Sequence, residues 1–471
     1  MNLYYTPDEL NLGMQRSRAL LPRAVAQLCE LIFDATGRIP DPKRVEYVAL
    51  FWVMQVCDRV VASEVLQESA SFVSPDVVNN VTNIRSRFVS ALSAGNHKIA
   101  IVEPYLKLGL ASELAAVVRS RRAVSWRPIP TAPSAAESLN LEARRSRIEI
   151  ASENTDHVAR VNRHLALTAP CELVEFHHEL AVWAAQECDE NLRVLYTANA
   201  HQASIPFRYL MFEQRLRGTK IAIHQHGGGY GIDETHAGEE HDVALSDVFY
   251  TWGWTRSDLG DRVRALATAL PARRPSTSDH RYLLMSLPIS TNFYRFQPFL
   301  IPYHVERMVG ETLQFLHNLD SSTEIRVRSS SAGKFPMSQL GDVSAAITVE
   351  KGRKLGVLVA AQSKLVIHNY LGTSWLETLA MNVPTVCFYD PAVFRAREVA
   401  RPYIDALARV GVIHHSGVEA ARFVNELKGD PSSWWSKPEV QEARETFVAR
   451  YANFSENWLP GWLEEFERLL A

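Results

Sequence analysis

The stretch KIAIHQHGGGYGIDE, residues 220–234, gathers two histidines, three consecutive glycines and two acids behind a short apolar run. Alternation along a strand predicts that His224 and His226 share one face at the strand's end. Gly227, Gly228 and Gly229 permit positive φ and close approach of a ligand, and their amides could form an anion-binding nest if a helix follows. Tyr230, Asp233 and Glu234 come next, with His236, Glu239, Glu240 and His241 close behind. Three readings fit these residue types. An HxH pair with nearby carboxylates offers the ligands zinc or manganese takes, which would suit a metal-dependent hydrolase. No later strand end presents an obvious His or Asp to complete that shell. A tight turn around satisfied core histidines is the plainest reading. A catalytic or substrate-binding loop accounts best for so many polar groups in one place.

A second constellation is more specific. In KLVIHNYLGTSWLETLAMNVPTVCFYD, residues 364–390, a strand passes Asn369 into a small-residue turn, Gly372-Thr373-Ser374, and then into a helix carrying Glu377. Free amides at such a helix start face a phosphate, with the two hydroxyls as extra donors. Glu377, one turn in, can accept both hydrogen bonds of a ribose diol. An ordinary N-capped helix with Glu377 favouring its dipole fits equally well. In EIRVRSS, Arg326 and Arg328 alternate along a strand and face one side, where they clamp a phosphate or sugar carboxylate or lie solvated.

The elements that must position these residues follow from the whole chain. At 471 residues it exceeds one compact core and predicts two domains or more. A formal charge of −3 gives no global argument for nucleic-acid binding. Five dispersed cysteines without CxxC spacing suit a reducing cytosol. The start, MNLYYTPDELNLG, lacks a signal-peptide pattern, and YVALFWVMQVC is too short to span a bilayer. A soluble cytoplasmic protein is expected, compatible with loose attachment to a membrane surface.

The first hundred residues read as helices, with KRVEYVALFWVMQVCDRVV apolar nearly all round and therefore buried. Residues 124–160 are polar and proline-interrupted and read as a loop or insertion. Strand and helix patterns alternate from residue 170, including a strand in SDVFYTWGW and a helix in SDLGDRVRALATAL. PARRPSTSDH, residues 271–280, reads as the linker to a second alternating series. Two doubly wound α/β domains are expected, 1–270 and 281–440, with helices in 441–471 after them. Ligands should bind in the cleft between the domains. The tryptophan-rich NWLPGWLEEF reads as core packing against the first domain rather than a membrane contact.

The order HQHGGGYG, SDVFYTWGW, HNYLGTSWLETLAMNVPTVCFYD, GVIHHSGVEAARFVNELKGDPSSWW and VQEARETFVARYA resembles a bacterial family of surface-carbohydrate transferases, similar to the retaining β-Kdo glycosyltransferases. The resemblance runs from about residue 190 to the C-terminus and more faintly over the first helices; the 124–160 stretch has no counterpart. It implies a GT-B-like fold, with the acceptor and the catalytic loop in the first domain, 1–270, and the nucleotide sugar mostly in the second, 281–440. The helices of 441–471 would return to pack on the first domain. It also implies metal-independent catalysis, a CMP-activated donor of Kdo or a related ulosonic acid, and a lipid-linked or oligosaccharide acceptor in O-antigen or capsule assembly. The nucleophile of such enzymes, an aspartate in the first domain's loop, falls by motif on Asp233, with Glu234 and Glu240 crowded beside it. His226 and His224 become candidates for the base or for holding the leaving phosphate. Thr373, Ser374 and Glu377 would bind CMP, with Arg326 or Arg328 and the loop after YLLMSLP, including Ser286 and Ser290. A UDP- or GDP-sugar donor is the alternative within the same fold.

Overall fold

The computed structural model describes residues 7–66, 98–103, 105, 140–152, 156–272, 279–286, 298, 302–329, 346–349 and 355–471. Ser290, residues 124–139 and most of the expected linker lie outside them.

Short runs of β-branched and aromatic residues, buried on both faces, form a first parallel sheet: β1 (Ile99–Val102), β2 (Val194–Thr197), β3 (Lys220–His224), β4 (Val248–Thr251) and β5 (Val263–Ala265). Its strands lie in chain order. After the short β6 (Thr268–Ala269), a second parallel sheet follows: β7 (Asp279–Ser286), β8 (Glu324–Ser329), β9 (Ala346–Val349), β10 (Ser363–His368), β11 (Thr385–Phe388) and β12 (Ile413–His414). Its spatial order is β12-β11-β10-β7-β8-β9, so the winding reverses between β7 and β10. A crevice opens beyond the carboxyl ends of the strands at such a reversal.

Helices α1 (Pro7–Thr36), α2 (Pro42–Leu66), α3 (Leu141–Ser152), α4 (His157–Thr168), α5 (His177–Glu187) and α6 (Ile205–Leu216) build a layer over the first sheet. The apolar α2 is its centre, with Val45, Val48, Val53, Cys57 and Val60 buried. The loop expected across 124–160 is helical over 141–152 and from 157 onward. Its polar character misleads because its arginines meet acids on other elements. Buried Arg144 pairs with Glu175 at 2.7 Å, and Arg147 reaches Glu30 and Asp34. A second correction concerns SDLGDRVRALATAL. Gly260 at φ +49° leads into a single 3-10 turn, and Val263–Ala265 then pairs with β4 as an edge strand instead of continuing a helix.

Beyond the glycine-rich loop after β3 stands α7 (Ala237–Leu245); α8 (Thr373–Ala380) follows β10. Near the C-terminus, α9 (Pro438–Tyr451) stacks Phe447 on Trp375 of α8. The chain then crosses back. β13 (Phe454–Ser455) pairs with β6, and α10 (Leu459–Leu470) buries Trp462 and Phe466 against Tyr196 of the first sheet. Trp458 and Trp462 are therefore core residues. Two parallel sheets, a helical N-terminal elaboration and a C-terminal return make a GT-B-like α/β arrangement. No helix among the described residues is long and apolar enough to cross a membrane.

Candidate functional site

The two sequence constellations, 145 residues apart, touch. The Gly228 N–H donates to Thr373 Oγ1 at 2.8 Å. A Cβ on Gly228 would stand 2.6 Å from the Gly372 carbonyl carbon and the Thr373 nitrogen, whereas one on Gly227 would meet Thr373 Oγ1 at 3.7 Å. Gly228 is thus required for backbone-to-backbone contact between the carboxyl edges of the two sheets. This corrects the expectation that all three glycines form an open anion nest. Gly229, at φ +89°, makes room for the folded-back Asp233: its Cβ would lie 2.5 Å from Asp233 Oδ2.

The two histidines diverge. β3 ends at His224, so the alternation that would align His226 with it stops there. His224 faces the α10 side: its Nδ1 is 2.7 Å from the Tyr196 hydroxyl, and its ring packs on Tyr250 and Trp462. Burial pushes its pKa down to about 3. It is a neutral core histidine, and the HxH pair does not converge on a metal. His226 takes the other direction. Its side chain keeps 18% exposure, its ring lies against Tyr105 and Tyr230, and its Nδ1 is 3.8 Å from Asp242 Oδ2.

The loop acids are sorted by their partners. Glu234 pairs with Arg395, which also reaches Asp8, and Glu240 pairs with Arg18 at 2.7 Å, so both are tied into ion pairs with other elements. Asp233 is buried, and its backbone bridges Ala396 beyond β11. Arg397 ties this region together. Its Nε donates to the Asp233 carbonyl, and its two terminal nitrogens grip the buried Glu239 carboxylate at 2.7 and 2.8 Å. Glu239 also accepts from the Gly231 amide.

Asp242 is the polar centre that sequence reading missed. Its Oδ1 is 2.7 Å from His201 Nε2, 2.9 Å from Gln202 Nε2 and 3.1 Å from His241 Nδ1, while Oδ2 accepts from the Tyr230 hydroxyl at 2.7 Å. Burial by itself would raise this carboxyl's pKa; the charges and hydrogen bonds of His201 and His241, with His226 beyond them, hold it well below the usual range. His201, His241 and Asp242 also offer ligand atoms within 4.8 Å of one another, the type of set a divalent ion takes. As it stands the carboxylate faces four hydrogen-bond donors, three at Oδ1 and one at Oδ2. The available signal was His201, two residues after the Ala198-Asn199 step beyond β2, at the same carboxyl edge as the glycine loop.

On the second sheet, the reversal point assembles several expected residues. Asn369, directly after β10, donates to Ser286 Oγ at the end of β7 and to Thr312. α8 starts from Gly372 without a side-chain cap. Thr373, Ser374 and Glu377 are partly exposed on its first turns. Ser374 Oγ is 3.5 Å from His368 Nδ1. Three residues beyond β1, the Tyr105 hydroxyl has its pKa pushed up by burial first, then by Glu377 and Tyr370. The arginines do not join them equally. Arg326 reaches back 3.4 Å to Ser363 at the amino end of β10, away from the crevice. Arg328 lies beside Gly356. A cavity of about 580 Å³ beside β5 lies apart from this site, and its Arg264 and Arg468 are already paired with Glu465.

A family model described as LIC12162 family transferase matches residues 55–466. The chain belongs to that family. The match takes in both sheets and both glycine turns, but not α1, which carries Asp8 and Arg18. No curated protein matches the chain. Among solved structures, MurG of Acinetobacter baumannii is similar over 79% of this chain and 99% of its own, at 9% identity and a TM-score of 0.40. An O-GlcNAc transferase mutant from Thermobaculum terrenum is similar over 90% of this chain and 84% of its own, at 12% identity and 0.36. The spinosyn forosaminyltransferase SpnP is similar over 80% of this chain and all of its own, at 11% identity and 0.40. These likenesses are loose, and the fold assignment rests on strand order and contacts.

Proposed function

We propose that this LIC12162 family transferase is a glycosyltransferase that moves a sugar acid, Kdo or a related ulosonic acid, from a CMP-activated donor to a lipid-linked or oligosaccharide acceptor of a bacterial surface polysaccharide. The observation that carries the reading is the contact of the two turns. It sets half-buried His226 beside the uncapped start of α8, with the Ser286–Asn369 reversal point next to it. Helix amides there suit the leaving phosphate, so the reading needs no divalent ion. Glu377 suits the ribose. The work would be done in the cytoplasm, at the inner face of the membrane that carries the acceptor.

The chemistry we propose is retaining. An Asp233 carboxylate oxygen attacks the anomeric carbon as the bond to CMP breaks, and CMP leaves with the electron pair. The acceptor hydroxyl then displaces Asp233 and gives its proton to His226. Because Asp233 is buried behind Gly229, this route requires the glycine turn to lift when donor enters.

Thermal-shift titration with CMP, UDP and GDP tests the donor class, with CMP expected to stabilise most. A larger shift with UDP or GDP replaces the CMP assignment, and no shift with any of them removes the nucleotide-sugar reading. Asp233→Asn should abolish transfer while leaving CMP binding intact; full activity in that variant excludes Asp233 as nucleophile.

A further inference from the structure

We propose that Asp242 is a positioning residue that acts through His226, holding its Nδ1–H so that Nε2 is the basic atom presented to the acceptor hydroxyl. This rests on the transferase reading of the cleft and adds to it a residue that touches neither substrate.

The argument begins with the carboxylate's capacity. An ionised carboxylate accepts about four hydrogen bonds, roughly two at each oxygen. Oδ1 of Asp242 already faces three donors, from His201, Gln202 and His241. Oδ2 takes one, from Tyr230, and has room for a second. His226 Nδ1 lies 3.8 Å from Oδ2. A small rotation of the imidazole closes that gap to a hydrogen bond.

The surroundings favour this use over simple core packing. An ionised carboxyl with no exposure is costly to bury, and replacing it with apolar side chains would serve packing at least as well. His201 and His241 stack 5.5 Å apart, and Phe51 covers His241, so the donors to Oδ1 are fixed in place. The same Tyr230 that donates to Oδ2 also packs its ring against His226. Carboxylate orientation and imidazole position are therefore set by one side chain. A histidine's second ring nitrogen is defined by the hydrogen bond the first one makes. His226 is the member of the group that keeps access to solvent.

The deciding experiment reads His226 by ¹⁵N imidazole NMR in the full chain without substrate, and in parallel measures transfer by Asp242→Asn, His226→Ala and the double variant. The inference expects an Nδ1–H tautomer in the wild type and a shift toward Nε2–H in Asp242→Asn. It also expects kcat to fall at least about 100-fold in Asp242→Asn with little change in donor KM. In the His226→Ala background, Asp242→Asn should add no further loss. An unchanged tautomer, or losses that multiply in the double variant, overturns it. Should Asp242→Asn fail to fold, Asp242→Glu keeps the charge: it should keep the Nδ1–H tautomer and lose kcat about tenfold through misplacement of the ring. Wild-type kcat in Asp242→Glu also overturns it. The tautomer needs no donor, so failure of the sugar-transfer reading leaves a distinct signature: the NMR coupling is present and no nucleotide sugar is turned over.

Discussion

The turn after β3 and the turn after β10 look alike in sequence: each leaves a strand that ends in histidine and runs through glycine into a helix carrying acids. Their uses differ. After β3, the acids and glycines are consumed by contacts: Glu234, Glu239 and Glu240 hold arginines, and Gly228 presses on the opposite turn. After β10, Gly372 leaves α8 uncapped, and Thr373, Ser374 and Glu377 keep exposure. Crowding on one side positions His226; openness on the other offers amides to a ligand. A glycine-rich turn after a parallel strand therefore marks a place of close approach, and only its partners decide whether a ligand or another loop approaches it.

The comparison can be broken most severely at Arg397. Arg397→Ala leaves the buried Glu239 carboxylate with the Gly231 amide and the looser Arg256 contact at 3.6 Å, and should cost about 3 kcal/mol in denaturant unfolding. Cooperative unfolding at wild-type stability would mean that the β3 turn is not held from the second sheet. Acid is the next test, because it acts on both strand-end histidines. Burial pushes His224 and His368 down to about 3 from 6.5. The unfolded chain takes up these protons first, so stability is full above about pH 6.5 and falls as pH drops toward 3. Each histidine contributes a slope of up to about 1.4 kcal/mol per pH unit. A flat stability profile between pH 6.5 and 5 would contradict the assignment of both as neutral core groups.

Gly228→Ala comes third, with an expected loss of about 1–3 kcal/mol from forcing the turns apart. Gly227→Ala, whose added Cβ meets only ordinary contact, should change stability by less than about 0.5 kcal/mol. Equal effects at the two positions would erase the distinction drawn between them.

Much of this was legible in the sequence. Short β-rich runs alternating with helical patterns located β2, β3, β4 and the second sheet's strands other than β9, and the residues of the β10 turn were found with their helix. What escaped depended on long-range contacts. The helix 141–152 is polar because Arg144 and Arg147 satisfy acids elsewhere, which no local pattern reveals. His224 carries a residue type associated with chemistry, yet its strand face is covered by α10 from the other end of the chain. Arg326 and Arg328 were expected to face one side together, but the Arg326 side chain reaches Ser363 at the amino end of β10. Asp242 was hidden because its four donors come from three separate segments, and only the fold collects them.

The central claim is that the β10 turn receives a nucleotide's phosphate, and calorimetric titration of CMP into wild-type and Ser374→Asp protein tests it most directly. An aspartate in the first turn of α8 favours the helix dipole, so the variant should fold at least as well as the wild type. The same charge opposes a phosphate at those amides. The account predicts binding to the wild type and affinity lowered by more than about tenfold, roughly 1.4 kcal/mol, in Ser374→Asp. Equal CMP affinity in the two proteins, or no binding to either, would contradict it.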